Sequence, residues 1–301
     1  MKLQANGIQI EVDDSGADGS QNERPVVLLI MGLGMQLIGW PPDFVQPLVD
    51  AGFRVVRYDN RDIGLSQGFE HAGKHSLVWQ TLRQRIGLRV RSAYTLQDMA
   101  NDALGVLDAL GVQRAHVIGA SMGGMIAQRL AATAPDRVRS LTSIMSSSGA
   151  RGLPGPHPEI ARSLMRRPAG RSEDALVDFS VGFIKLIASP AYPYEASALA
   201  TRVRTGIRRA YRPDGVVRQM LAIGADSDRP TVLSRIKSPT LVLHGEADKL
   251  VPLECGQDSA RRIPGARFVT IPGMGHDLPP QVSAILLDHI IPFVRSAGEA
   301  P

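Results

Sequence analysis

The chain has 301 residues, 44% hydrophobic and 21% charged, a balance that excludes both a disordered polymer and a membrane-embedded bundle. Its length buries one large core or two modest ones. A net charge of +5 raises a nucleic-acid function, but the arginines are scattered and lack interleaved aromatics, so no nucleic-acid partner is expected.

The N-terminus lacks the apolar core of a secretory signal. The longest apolar run, Val26 to Met35, is broken by glycines and too short to cross a bilayer, so no membrane span and a cytoplasmic location are expected. Gly7 to Asp13 alternates like the second arm of a hairpin, and Pro25 to Ile30 reads as a buried strand. Pro42 to Ala51 predicts a helix ended by Gly52, and Arg54 to Asp59 the next strand. Arginines at 83, 85, 89 and 91 then suggest a solvated helix face. Thr95 to Leu110 is an amphipathic helix closed by Gly111, with Thr95 and Asp98 outlining a capping box. Ala115 to Ile118 is a short apolar run, Met125 to Ala132 has helical spacing, and Val138 to Met145 is again a strand.

From Ser146 to about Arg229 the chain changes character. It is rich in Arg, Pro and Gly and shows helical periodicity without strand runs. Its arginines at 162, 166, 167, 202, 204, 208 and 209 fit a solvated face. Pro239 to His244 and Arg267 to Ile271 return to strand, and Gln281 to Arg295 is a final helix. Strands alternating with helices predict an α/β fold with a mostly parallel sheet covered on both faces. The expected division is a core of residues 1–145 and 230–301 and a helical cap over 146–229. Such an insertion sits above the carboxyl ends of the strands, where open α/β sheets bind ligands; an independent domain is the alternative.

Gly119-Ala120-Ser121-Met122-Gly123-Gly124 joins the Ala115 strand to the Met125 helix. A serine between strand and helix, with glycine two positions to each side, is the pattern of a nucleophile elbow, although an inert Gly-rich turn shares it. A serine hydroxyl needs a base, and the base needs an orienting group. Asp248 follows the strand Leu241-Val242-Leu243-His244, and His276 follows the strand ending at Ile271. The chain order Ser121, Asp248, His276 fits a hydrolase triad. Glu246 is the second choice for the acid, whereas Asp277 should project elsewhere. His244 reads as a packed, hydrogen-bonded core residue, and His71, His75, His157 and His289 have no matching context.

An oxyanion needs two donors. One is the Met122 N–H; the other comes from the loop Ile30-Met31-Gly32-Leu33-Gly34, with Leu33 N–H the first choice and Gly32 the neighbouring candidate. Met31, Leu250, Met274 and Leu278 are the expected substrate-binding side chains, and their apolar character points to an apolar acyl or alcohol group. Arginines on the cap would suit an anionic substrate if they faced the cleft. Cys255 is the only cysteine and reads as buried and inert. No His, Asp, Glu or Cys grouping has metal-ligand spacing, so neither a metal nor another cofactor is expected.

These residues together resemble the α/β-hydrolase superfamily over essentially the whole chain. Arg57-Tyr58-Asp59-Asn60-Arg61-Asp62-Ile63-Gly64-Leu65-Ser66 resembles the loop after that family's fourth strand. With Met31-Gly32, Trp40 and Gly275-His276-Asp277-Leu278-Pro279, the pattern looks most similar to the branch of capped serine esterases that includes aclacinomycin methylesterase. The resemblance implies an eight-stranded sheet with an inserted helical cap, and carries the triad onto Ser121, Asp248 and His276 and the oxyanion donors onto Leu33 and Met122. Many relatives have His-Gly where this chain has Met31-Gly32. Ser121 sets it apart from relatives that use an aspartate nucleophile. The implied activity is cleavage of a small-molecule carboxylic ester through an acyl-enzyme. Lactone, C–C bond, perhydrolase or aminopeptidase chemistry on the same triad, and a non-catalytic binding protein of this fold, are the alternatives. Homo-oligomerisation is left open.

Overall fold

The computed structural model describes residues 1–21, 23–73, 79–80, 83, 88 and 90–298. His75 and the arginines at 85 and 89 lie outside the described residues. Among those described, eight strands form one sheet in the order β1-β2-β4-β3-β5-β6-β7-β8. They are β1 Lys2–Ala5, β2 Ile8–Asp14, β3 Val26–Ile30, β4 Arg54–Tyr58, β5 Ala115–Ala120, β6 Val138–Ile144, β7 Thr240–Gly245 and β8 Arg267–Ile271. β1 and β2 form the antiparallel hairpin at one edge, β2 runs antiparallel to β4, and the pairings from β4 through β8 are parallel.

The strand period explains how one sheet serves two cores. In β3, Val26, Leu28 and Ile30 enter one hydrophobic cluster, while Val27, Leu29 and the following Met31 enter the other. The first cluster lies under helices α2 (Leu96–Ala109) and α3 (Met122–Thr133); the second lies under α1 (Pro42–Asp50) and α10 (Pro280–Gly298). A strand buried on both faces has no polar side to alternate with, which is why β3 is an unbroken apolar run and β5 and β7 are largely apolar, interrupted by the buried His116, Thr240 and His244. The α2 start follows its local chemistry. Thr95 Oγ1 accepts from the Asp98 N–H at 3.1 Å and Asp98 Oδ2 accepts from the Thr95 N–H at 2.8 Å, a reciprocal cap.

Two boundaries differ from those expected. Helix α3 begins at Met122, so Gly123 and Gly124 lie inside it and not in a preceding loop. The last helix extends to Pro280–Gly298, three residues longer than expected at its C-terminal end.

Between β6 and β7 lie helices α4 (Pro158–Leu164), α5 (Glu173–Ile187), α6 (Ala196–Arg209) and α7 (Pro213–Ala225), with no strand among the described residues. A short helix α8 (Arg229–Val232) leads back toward the sheet, and α9 (Leu253–Arg262) follows β7. The insertion is bonded to the loops at the carboxyl ends of β3 and β4. Gln36 Nε2 donates to the Gly206 carbonyl at 2.7 Å, Arg209 pairs with Asp59 at 2.7 Å, and Arg218 pairs with Asp62 at 2.7 Å. Its C-terminal end is tied to α3, where Arg129 and Arg229 share Asp226. Arg202 donates to the Gly39 carbonyl at 2.6 Å. Arg202 and Arg209 therefore face the core, apart from the solvated face expected of most of these arginines, whereas Arg204 and Arg208 pair with Glu173 on the surface of the insertion.

Candidate active site

Ser121 occupies the one-residue turn between β5 and α3, with φ 56° and ψ −121°. A side chain in this region of backbone space costs about 1–3 kcal/mol, so the surrounding structure must enforce it. The flanking glycines show how. A Cβ on Gly119 would run into the Gly123 carbonyl, and one on Gly123 into the Ile30 carbonyl. A Cβ on Gly124 would lie 2.6 Å from the Ser146 Cβ. The turn is pinned from β6 as well, because the Ser121 N–H donates to the Ile144 carbonyl at 2.9 Å and Ser146 Oγ donates to the Ser121 carbonyl at 2.7 Å.

The hydroxyl meets an imidazole. Ser121 Oγ lies 2.9 Å from His276 Nε2, and His276 Nδ1 lies 2.6 Å from Asp248 Oδ2. An ionised carboxylate only accepts, so Nδ1 carries the proton and Nε2 is the acceptor facing the serine. Asp248 is held by its own loop: Oδ1 accepts the Leu250 and Val251 N–H groups at 2.9 and 2.8 Å. With Asp248 6% and His276 8% exposed, the pair is shielded from water while Ser121 stays half-buried.

The loop after β3 passes over the serine. A Cβ on Gly32 would sit 3.1 Å from the Ser121 Cβ, so glycine permits this approach. Asn60 Nδ2 donates to the Met31 carbonyl at 2.8 Å, and the Met35 N–H closes a turn onto the Gly32 carbonyl at 3.2 Å. Among the described residues, neither the Leu33 nor the Met122 N–H has an acceptor in the protein. Met122 directly follows Ser121, and Leu33 directly follows Gly32, whose Cβ position lies 3.1 Å from the Ser121 Cβ.

Other sequence candidates fall elsewhere. Glu246 is exposed and accepts from Thr270 Oγ1 at 2.8 Å, away from the imidazole. His244 is fully buried and donates from Nε2 to the Val251 carbonyl at 2.8 Å; burial holds its pKa below the ordinary histidine value. Cys255 is buried, and burial pushes its thiol pKa up. Asp277 turns away from His276, and its Oδ1 accepts from the Ser189 N–H at 3.0 Å and from the Ser189 hydroxyl. Ser189 Oγ in turn accepts the Gly275 N–H at 2.8 Å, and the His276 N–H donates to the Ile187 carbonyl at 2.7 Å. The end of α5 thereby grips the histidine loop, a set of contacts that sequence reasoning missed because nothing in the pattern pairs Ser189 with Asp277.

The four expected substrate-binding side chains divide. Met274 is fully buried in the cluster beneath α1 and α10. Met31 and Leu278 belong to the same cluster, each 4% exposed, and Leu250 is half-buried. No group of three or more His, Cys, Asp or Glu side chains among the described residues could hold a metal ion. No helix among them is long and apolar enough to cross a membrane.

Residues 25–280 match the sequence profile of the alpha/beta hydrolase fold. The chain is 31% identical over 299 residues to the rhodomycin D methylesterase DnrP of Streptomyces peucetius. It is 30% identical over 298 residues to the rhodomycin D methylesterase DauP of Streptomyces sp. strain C5, and each match covers 93% of both chains. Among solved structures, a hydrolase from Pseudomonas aeruginosa PA01 is similar at a TM-score of 0.70 and 27% identity, over 100% of this chain and 98% of that one.

Proposed function

This chain belongs to the alpha/beta hydrolase fold family, and from that premise we propose that it is a serine esterase that cleaves small-molecule carboxylic esters through an acyl-enzyme. The observation that carries the reading is the unbroken run of hydrogen bonds from Ser121 through His276 to Asp248, at a strained turn.

Ser121 Oγ attacks the ester carbonyl carbon while His276 Nε2 takes the hydroxyl proton. The carbonyl oxygen becomes an oxyanion received by the Leu33 and Met122 N–H groups, a placement worth about 3–4 kcal/mol per donor in the transition state. As the tetrahedral intermediate collapses, the carbon–alkoxy bond breaks and His276 returns the proton to the leaving alcohol. Water then adds to the acyl-enzyme with His276 again as base, the Ser121 ester bond breaks, and the acid departs. Asp248 keeps the proton on Nδ1 and stabilises the imidazolium formed in each half-reaction.

Residues 146–229 act in this reading as a helical cap whose underside meets the loops after β3 and β4. The apolar residues Met31, Leu250 and Leu278 favour an apolar acyl or alcohol group. Two relatives carry the name methylesterase, which favours a methyl ester as substrate class. In a p-nitrophenyl ester assay, Ser121→Ala abolishes turnover and labelling by a fluorophosphonate probe without lowering the melting temperature, and Asp248→Asn lowers kcat about 10⁴-fold. Turnover surviving in Ser121→Ala removes the nucleophile assignment. A wild-type protein that neither labels nor turns over esters is a binding protein of this fold.

A further inference from the structure

Gln219 lies on α7, within the insertion, and is fully buried. Its Oε1 accepts the Gly34 N–H at 2.9 Å, and its Nε2 donates to the Arg61 carbonyl at 3.0 Å. A backbone N–H can only donate and a carbonyl can only accept, so one orientation of the amide satisfies both partners. Gly34 directly follows Leu33 and has φ +69°, with Val216 of α7 packed 3.0 Å from where a Cβ would stand. The loop is thus held at both ends: Asn60 grips the Met31 carbonyl from the core, and Gln219 grips the Gly34 N–H from the insertion.

The support is itself rigid. Arg218, the preceding residue, makes a two-pronged bond to Asp62 at 2.7 and 2.8 Å, with both side chains buried. Gly215 packs so closely on the Asp62 carbonyl that a Cβ would not fit. Helix α7 can neither roll nor slide without breaking these contacts.

We propose that Gln219 is a positioning residue for the oxyanion loop. By fixing the peptide plane between Leu33 and Gly34, it sets where the neighbouring Leu33 N–H stands, so the insertion completes the active site as well as covering it. This rests on the assignment of Leu33 N–H as an oxyanion donor in the proposed function. The oxyanion exists only in the transition state, so losing its positioning lowers kcat and leaves KM nearly unchanged.

The test compares Gln219→Met with Gln219→Glu in the full chain, using p-nitrophenyl acetate. Methionine keeps the length but offers Gly34 no oxygen, and kcat is expected to fall about 10- to 100-fold with KM within about threefold and the pH profile of kcat unmoved. Glutamate, driven to its neutral form by burial, accepts from Gly34 and donates to the Arg61 carbonyl, and restores most of that loss. A folded Gln219→Met with wild-type kcat overturns the proposal, and so does a Gln219→Glu as impaired as the methionine variant. Should Gln219→Met fail to fold, hydrogen exchange in the wild-type protein decides: protection of the Gly34 amide supports the bond, and exchange at the unprotected rate overturns it. These outcomes are separate from the failure of the esterase reading, which shows as absent fluorophosphonate labelling of the wild-type protein.

Discussion

Histidine occupies two opposite settings. His276 turns Nε2 toward the Ser121 hydroxyl at 2.9 Å, whereas His116 is buried at β5 with Nδ1 2.8 Å from Ser140 Oγ and, among the described residues, no partner on Nε2. Burial, with Arg139 and Arg114 nearby, lowers the His116 pKa from 6.5 to about 4. The folded protein therefore keeps this ring neutral while the unfolded chain protonates it below its ordinary pKa. Stability is fully present above about pH 6.5 and is lost as pH falls toward about 4, by at most about 3 kcal/mol. Urea unfolding followed across that window should show a shallower slope for His116→Gln; identical slopes would remove His116 as the cause. At this scale the sequence was legible only where a residue's role follows from its place after a strand. Ser121, Asp248 and His276 stand at strand ends, and the structure brings them together. Gln219, Ser189 and Asp62 act through partners far away in the chain, and no periodicity announces such pairs.

Among the elements, the β5–α3 turn was the most legible, because its glycines answer to steric demands that few other residues meet. Its helix starts three residues before the apolar spacing from Met125 indicates, since two glycines look like loop while tertiary packing makes them helix. The contrast between two glycines tests this. Gly123→Ala puts a Cβ onto the Ile30 carbonyl and is expected to cost about 3 kcal/mol or more and to lose esterase activity. Gly182, exposed in α5 with nothing within 4 Å of its Cβ position, should accept alanine with a gain of up to about 1 kcal/mol. Thermal unfolding of the two variants checks the sign of each effect. The helices of the insertion were legible as a class and not one by one, because short amphipathic segments separated by prolines and glycines leave their ends undefined.

For the molecule as a whole, the seam between insertion and core carries buried polar pairs beside the apolar contacts that Ala222 and Tyr192 make with the core clusters. Arg218 and Asp62 are its deepest pair, and Asp62 also accepts from the Tyr94 hydroxyl at 2.9 Å and the Phe69 N–H at 2.8 Å. Arg218→Leu leaves that carboxylate buried without its cation and is expected to cost about 3–5 kcal/mol. In an Asp62→Asn background the same change should cost about 1–3 kcal/mol less, measured by urea unfolding; strict additivity would show that the pair does not couple the two parts. The placement of the insertion between β6 and β7 also bears on how the chain is made. β6 is paired on both sides in the finished sheet, yet one partner, β7, is translated only after every helix of the insertion. Until β7 is made, the Leu141–Ile144 edge of β6 lacks its backbone partners and is open to pairing with other chains. The Ser121 turn is likewise translated before Asp248 and His276. The covered β6 edge and the Ser121–His276–Asp248 hydrogen bonds therefore become possible together, late in synthesis.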